Sequence, residues 1–163
     1  MIWITALGVV LLFCFAVVLL VGAPYLPTLN KQVDVALTLA DLKKGDTLLE
    51  LGCGDGRVVV AAAKQGINVV AYELNPLLVG LAWLRTRRYR KQVTIIWGDF
   101  WKKDWPRAQA IFVFLLPKYM DKLNKNIDDY GYRPLKLVSF AFEIKTKKPS
   151  QIRDGLFVYD YKS

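Results

Sequence analysis

Residues 47–64 read TLLELGCGDGRVVVAAAK and contain the turn that decides the fold. The apolar run at 47–51 predicts a buried strand, and the apolar stretch from residue 57 predicts a helix. Between the two lie Gly52, Gly54 and Gly56, separated by Cys53 and Asp55. Glycine allows a backbone to turn sharply and to come close to a ligand. The stretch therefore predicts a strand, a glycine loop and a helix, which together open an α/β fold.

The same alternation of strands and helices continues along the chain. Further strands are predicted near 68–73, 93–97, 109–115, 136–142 and 156–161, and helices near 30–40, 57–65, 76–90 and 118–129. Because the strands are almost continuously apolar, we expect a parallel sheet with helices on both faces. On the helix at 76–90, five large apolar residues are predicted to lie in the core: Leu77, Leu78, Leu81, Trp83 and Leu84.

Three acidic residues are predicted to meet beside the glycine loop. Glu50 precedes the loop, Glu73 ends the second strand 19 residues after Gly54, and Asp99 follows the third strand. The carboxyl ends of parallel strands share one edge of a sheet, where open α/β folds bind ligands. A helix N-cap or a turn remains the alternative role for Glu73 and Asp99. The loop departs from the dinucleotide fingerprint, because Arg57 stands at its third glycine position.

These motifs together resemble those of a known enzyme class. The pattern E-x-G-x-G-x-G, followed by Glu73 and Asp99, resembles motif I and its partners in class I S-adenosylmethionine-dependent methyltransferases. The stretches ELGCGDGRVVVAAAK, YELNP, GDFWK and FLLPKYM resemble more narrowly the membrane-anchored protein-lysine methyltransferases that act on the c-subunit of ATP synthase and on the adenine nucleotide translocase. The resemblance implies a Rossmann-like class I methyltransferase sheet. Where that family has Phe-Gly-x-Pro, this chain has Phe-Leu-Leu-Pro at 114–117.

The resemblance also implies roles for individual residues, with S-adenosylmethionine as the cofactor. Glu73 would accept hydrogen bonds from the ribose hydroxyls, Asp99 would accept one from the adenine amino group, and Phe100 would lie against the adenine ring. The remaining residues predicted to bind the cofactor are Glu50, Gly52, Cys53, Gly54, Gly56 and Leu74. Three residues, Tyr25, Thr28 and Pro117, are predicted to shape the acceptor channel, and no metal site is predicted.

Charge and hydropathy divide the 163-residue chain unevenly. The first charged residue is Lys31, and 20 of residues 1–23 are hydrophobic. Twenty-one uncharged residues, 2–22, match the thickness of a bilayer and predict a transmembrane anchor over 1–23, with a buried helix or a cleaved signal peptide as alternatives. A linker and a helix would occupy 24–45, and the methyltransferase domain 46–163. The positive-inside rule places that domain, which carries the net charge of +9, on the cytoplasmic side, with the lipid bilayer as a partner.

The predicted function is methyl transfer to a lysine amine of a protein in or near the membrane. The chain contains no histidine, which excludes Ser-His-Asp and Cys-His nucleophile systems. Alternatives are a methyltransferase for a quinone, a lipid or another small molecule, a cofactor-binding scaffold without turnover, and a Rossmann oxidoreductase. A nucleic-acid partner is not predicted, since the Asn/Asp-Pro-Pro-Tyr/Phe signature is missing at 114–117. The basic run 85–91 fits a solvated helix end, a contact with anionic lipid, or RNA binding.

Overall fold

The computed structural model describes residues 30–162 and, before them, Trp3, Thr5, Gly8 and Val9. Its seven strands are β1 (Thr47–Leu51), β2 (Asn68–Glu73), β3 (Val93–Trp97), β4 (Ala110–Val113), β5 (Leu135–Phe140), β6 (Gln151–Arg153) and β7 (Leu156–Tyr161). Four helices with defined bounds are α1 (Asn30–Ala40), α2 (Arg57–Lys64), α3 (Pro76–Thr86) and α4 (Met120–Tyr130). Short 3-10 turns cover Arg87–Tyr89, Phe100–Lys102 and Pro117–Tyr119.

The strands form one sheet in the order β3-β2-β1-β4-β5-β7-β6. The first five strands are parallel, and β7 runs antiparallel between β5 and β6. β1 lies at the centre and pairs with β2 on one side and β4 on the other. The carboxyl ends of β1, β2 and β4 are therefore neighbours, and the glycine loop begins where they meet.

Buried side chains pack helices against both faces of this sheet. One core joins α1, α2 and Ala82 of α3 to alternate strand residues such as Leu48 and Val69. The other joins Met120, Leu123 and Ile127 of α4 to the intervening residues such as Leu49 and Ile111. Consecutive residues of β1 thus enter opposite cores, which requires an apolar side chain at nearly every position. The predicted Rossmann-like α/β sheet with helices on both faces is confirmed.

The antiparallel end of the sheet differs from the prediction. The prediction of a wholly parallel sheet is wrong at β7, which is antiparallel to β5. β6 was not predicted, because its three residues are all exposed and form no apolar run. The turn between β6 and β7 is made by Asp154 and Gly155, whose φ angles are +51° and +78°. An Asp-Gly pair with two positive φ angles is a strong hairpin signal, because its twist matches that of the two strands.

The apolar residues of α3 lie mostly outside the core. Leu77, Leu81, Trp83 and Leu84 are exposed, Trp83 by 67%, so their predicted place in the core is wrong. α3 packs beside β2 and β3, at the end of the sheet, and its buried residues are the small Ala82 and Thr86. A helix at the end of a sheet is covered on a narrow face only, and its apolar content does not show which face that is.

The membrane-spanning segment requires a correction. A bilayer-spanning helix needs about 20 consecutive apolar residues. The helices with described bounds contain 11 residues or fewer, and the described residues include no helix long and apolar enough to cross a bilayer. By this finding the predicted single-pass membrane localisation is wrong. Most of 1–23, on which that prediction depended, lies outside the described residues.

Candidate active site

The glycine loop leaves β1 and turns immediately toward β2. The backbone N–H groups of Gly52 and Cys53 both donate to the carbonyl oxygen of Tyr72, each at 2.9 Å. Gly52 has a φ of +93°, a conformation that a side chain would strain. The loop is thus held against β2 by its own backbone at the point where both strands end.

Gly56 allows α3 to approach the loop closely. A Cβ atom placed on Gly56 would lie 3.1 Å from both Cα and Cβ of Ala82, and the φ of Gly56 is +79°. The two small residues therefore set the separation between the start of α2 and the middle of α3. α2 begins at Arg57, the residue directly after Gly56.

Glu73 connects the loop to the turn after β2. One carboxylate oxygen, Oε2, accepts from the backbone N–H of Gly54 at 2.8 Å. The other, Oε1, accepts from the N–H groups of Leu74 and Asn75 at 2.9 and 2.8 Å. A carboxylate oxygen can accept two hydrogen bonds, so Oε2 retains one acceptor position. Glu73 therefore has the role in a turn that was given above as an alternative to ligand binding. One acceptor position of its Oε2 remains for a ligand hydroxyl.

Asp99 lies beside Glu73 and caps a short 3-10 helix. Its Oδ1 accepts from the N–H of Trp101 at 3.0 Å, and its Oδ2 lies 4.0 Å from Nζ of Lys102. The backbone joins the two acidic residues, because the N–H of Gly98 donates to the carbonyl oxygen of Glu73 at 2.9 Å. The Asp99 side chain remains partly exposed, by 25%.

Phe100 follows Asp99 and is half-buried. Its ring packs against Trp101, with the two ring centroids 4.6 Å apart. The indole N–H of Trp105 donates to its carbonyl oxygen at 2.9 Å. These contacts fix the backbone and the ring of Phe100 against the second core.

Glu50 is buried beneath the loop with one polar atom unsatisfied. Only 3% of the residue is exposed, and Oε2 has no hydrogen-bond partner among the described residues. Burial raises its pKa well above the usual 4.5, and the charges of Glu73 and Asp55 raise it further. An orphaned buried carboxyl oxygen is costly unless a donor reaches it. A hydrogen-bond donor of a ligand that reached Oε2 of Glu50 would therefore be bound favourably.

Cys53 is a buried thiol within the same loop. It is 5% exposed, and burial raises its pKa, as do the nearby charges of Glu50 and Glu73. A thiol reacts through its thiolate form. Cys53 therefore packs inside the loop and does not serve as a nucleophile.

Asp55 binds two arginines that sequence reasoning did not connect to the site. Nε and Nη2 of Arg57 donate to its two carboxylate oxygens at 3.1 and 2.9 Å. Arg85 from α3 pairs with the same carboxylate and also donates to the Asp55 carbonyl oxygen at 3.1 Å. Asp55 is only 3% exposed, so the pairing compensates for a buried charge. The arginine that breaks the dinucleotide fingerprint thus stabilises the loop.

An aromatic cluster follows β4 and β5 at the same edge of the sheet. The ring centroid of Phe114 lies 4.9 Å from that of Phe140 and 6.2 Å from that of Phe142. The buried hydroxyl of Ser139 donates to the carbonyl oxygen of Phe142 at 2.7 Å and holds the turn after β5. Pro117, a predicted channel residue, is exposed and begins the 3-10 turn after β4. The sequence signal for the cluster was the aromatic residue just after each strand.

The structure gathers most of the predicted site at one edge. Nine of the predicted site residues lie at or just after the ends of β1, β2 and β3: Glu50, Gly52, Cys53, Gly54, Gly56, Glu73, Leu74, Asp99 and Phe100. Pro117 follows the neighbouring strand β4 at this edge. Tyr25 and Thr28 lie outside the described residues.

The site stretches also match a family model. Residues 50–151 match the model described as the ANTKMT methyltransferase domain. The chain belongs to this methyltransferase family. The matched span runs from Glu50 to the start of β6 and contains all three acidic residues. The family membership predicted from the sequence is confirmed.

Two curated relatives show how far the similarity extends. The chain is 31% identical over 145 residues to the ATP synthase C-subunit lysine N-methyltransferase of Xenopus laevis, covering 84% of this chain and 63% of that protein. It is 31% identical over 134 residues to a protein-lysine N-methyltransferase of Saccharolobus islandicus (strain REY15A), covering 79% of this chain and 83% of that protein. The chain thus spans less than two thirds of the Xenopus relative.

A solved structure shares the fold. The RNA methyltransferase from Salinibacter ruber, in complex with S-adenosyl-L-homocysteine, superposes with a TM-score of 0.74 at 30% sequence identity. The match covers 83% of this chain and 92% of that one. Its bound ligand is the demethylated form of the cofactor that the sequence motifs predict.

Glu50→Gln is expected to stabilise the folded protein at neutral pH. The folded state raises the pKa of Glu50, so stability is lost as pH rises above its ordinary value of 4.5, where the unfolded carboxyl ionises. Glutamine does not ionise, and the variant should gain about 1 kcal/mol or more at pH 7 and almost nothing at pH 4. Urea unfolding at both pH values measures this, with the exposed Glu143→Gln as control. An equal change at both pH values would contradict the prediction.

The Cys53 thiol is expected to be inert in the folded protein, because it is buried and its pKa is raised. Cys14→Ser leaves Cys53 as the only thiol of the chain. Iodoacetamide at pH 7.5 should leave this variant unmodified in buffer and modify it fully in about 6 M guanidinium chloride, a concentration that unfolds ordinary domains. Mass spectrometry reads the result, and rapid modification in buffer would show that the loop is open.

Proposed function

We propose that this protein is an S-adenosylmethionine-dependent protein-lysine N-methyltransferase. The observation that carries the proposal is the family match over 50–151, which includes the acidic residues and the aromatic cluster of the site. Both curated relatives described above are named as lysine N-methyltransferases. The arrangement of carboxylates at the carboxyl edge of the sheet supports cofactor binding there.

The residues at this edge fit the cofactor. Glu50 Oε2, which has no partner among the described residues, would accept a hydrogen bond from the cofactor's amino group. Glu73 Oε2 would accept from one ribose hydroxyl, and Asp99 Oδ2 from the adenine amino group, with Phe100 beside the ring. When bound, S-adenosylmethionine supplies a methyl group that its sulfonium activates for transfer to an amine.

A lysine acceptor must lose its proton before it can be methylated. Deprotonating a free lysine at pH 7 costs about 4–5 kcal/mol, given its ordinary pKa of about 10.4. An apolar environment lowers the pKa of an amine and reduces this cost. Phe114, Phe140 and Phe142 would provide such an environment at the edge where β4 and β5 end. Since the chain has no histidine, the proton would pass to water.

The course of α1 supports the predicted channel residues Tyr25 and Thr28. α1 ends just before the turn into β1, and its residues Val33 and Asp34 line the same cleft as Arg57, which follows the glycine loop. The first turn of α1 is therefore near the carboxyl edge of the sheet. Tyr25 and Thr28, which directly precede α1, would then border the acceptor together with Pro117.

Labelling with radioactive cofactor tests the proposed activity. The purified chain, S-adenosylmethionine and an extract from cells lacking this gene should yield a labelled protein whose label resists nuclease and is lost on protease treatment. Mass spectrometry should place the methyl group on lysine. Asp99→Ala should weaken S-adenosylhomocysteine binding about tenfold and reduce labelling, because one hydrogen bond to a charged group is lost. The exposed Asp129→Asn should change neither.

The fraction that carries the label separates this proposal from its rivals. Label confined to RNA, the class named for the Salinibacter ruber structure, would contradict it. Label confined to a lipid or another small molecule would favour the small-molecule alternative. Cofactor binding without any labelled product would favour a scaffold that lacks turnover.

Phe114→Leu tests the aromatic cluster. We expect about a tenfold fall in kcat/KM for the protein acceptor, with unchanged S-adenosylhomocysteine affinity, because the ring contacts Phe140 and Phe142 in the cluster that we propose surrounds the acceptor. Steady-state kinetics and calorimetry measure the two quantities. Phe157→Leu removes the same atoms from a half-buried aromatic of β7, opposite Ser139, and serves as the control for a general loss of packing. Equal losses in both variants would contradict a specific role for the cluster.

A further inference from the structure

The clefts beside α2 and α3 form a strongly basic surface that adjoins the glycine loop at Arg57. One cleft, of about 340 Å³, includes Lys64, Arg85, Arg87, Arg88 and Tyr89 in its lining. An adjoining cleft of about 670 Å³ is lined by Arg57, Lys64, Arg85 and the carboxylate of Asp34, among others. The two clefts share Val60, Lys64 and Arg85, so they adjoin, and together they are called here the basic groove.

The cations of the basic groove outnumber its anions. Five cations line it, from α2, α3 and the 3-10 turn that follows α3, against the single lining carboxylate of Asp34. Among residues 30–162, Lys64, Arg87 and Arg88 take part in no ion pair. Helix dipoles favour cations in the last turn of a helix, but Arg57 stands at the first residue of α2. The groove therefore collects positive charge beyond what helix ends alone explain.

Two of the five cations are held in place before any ligand arrives. The buried Asp55 pairs with Arg57 and Arg85, and the Arg85 guanidinium also donates to the Asp55 backbone carbonyl. The side chains of both arginines remain partly exposed, by 29% and 39%. Fixing a side chain in advance reduces the entropy lost when a ligand binds. The groove thus has two cations that are ordered in advance and three further cations in its lining.

We propose that the basic groove binds a small, multiply phosphorylated ligand. Arginine presents a planar fork of donors that matches phosphate geometry, and Arg87 and Arg88 offer two forks that are not paired with Asp55. Apolar side chains of Val60 and Leu84 and the ring of Tyr89 would contact the non-phosphate part. Volumes of this size hold small ligands. Sites for single-stranded nucleic acid combine a basic groove with several stacking aromatic rings, whereas Tyr89 is the one aromatic residue that lines the groove among the described residues.

Calorimetry with matched charge variants tests this proposal without any need for methyl transfer. The probes are inorganic tripolyphosphate and ATP, titrated into the full chain at about 0.1 M salt, where exposed charges further apart than about 10 Å are screened. Arg87→Gln with Arg88→Gln removes two groove cations that do not touch Asp55. The control, Arg90→Gln with Lys91→Gln, removes the same charge from the same basic run but outside the groove lining. We expect the groove pair to lose about tenfold or more in affinity and the control pair to change less than about twofold.

Each outcome decides the proposal. Equal losses in both variant pairs would show diffuse attraction to a basic protein and overturn the proposed site. No binding of either probe to the unmodified chain would also overturn it. Binding of a single-stranded RNA that only the groove pair weakens, with neither small probe bound, would assign the groove to a nucleic-acid backbone instead. Because S-adenosylhomocysteine binding is measured separately, failure of this site and failure of the proposed methyl transfer are distinguishable.

Discussion

Glu73 joins two segments of the chain that the rest of the site depends on. Its carboxylate accepts from the glycine loop on one side and from the turn before α3 on the other, and its own carbonyl accepts from Gly98. Three backbone N–H groups therefore share one buried charge, and each would otherwise lack a partner at the end of a strand. The carboxyl ends of β1, β2 and β3 become one unit, and the positions of Glu50 and Asp99 follow from it.

Asp55 gives a second attachment for the same loop on the opposite side. It connects the loop to α3 through Arg85, while Gly56 and Ala82 bring the two backbones into contact. The loop is thus held by β2, through Glu73, and by α3, through Asp55. Glycines make this path accessible to the chain, and the two carboxylates select it from the many conformations that glycine allows. A loop fixed in this way can present backbone groups to a ligand with little loss of entropy on binding.

The sequence predicted the central elements well, because burial on both faces leaves a clear apolar signature. β1, β2, β3 and β7 begin and end where the apolar runs do, and the acidic residues lie at the predicted strand ends. The exposed α3 residues and β6 were missed, since an apolar helix at the end of a sheet does not reveal its covered face. Partners 30 residues apart, such as Arg85 and Asp55, have no local pattern. The orphaned oxygen of Glu50 is likewise visible only in three dimensions.

The position of β3 has a consequence for how copies of this protein meet one another. β3 lies at one end of the sheet, with Thr94 and Trp97 exposed along it, and an open strand edge offers a template for pairing with another chain. The basic run 85–91 leads directly into this strand. Two molecules that approach through this edge each carry the basic run beside it, and the repulsion between them grows as salt is withdrawn. Positive charge beside an exposed strand is one of the means by which proteins disfavour pairing between sheet edges.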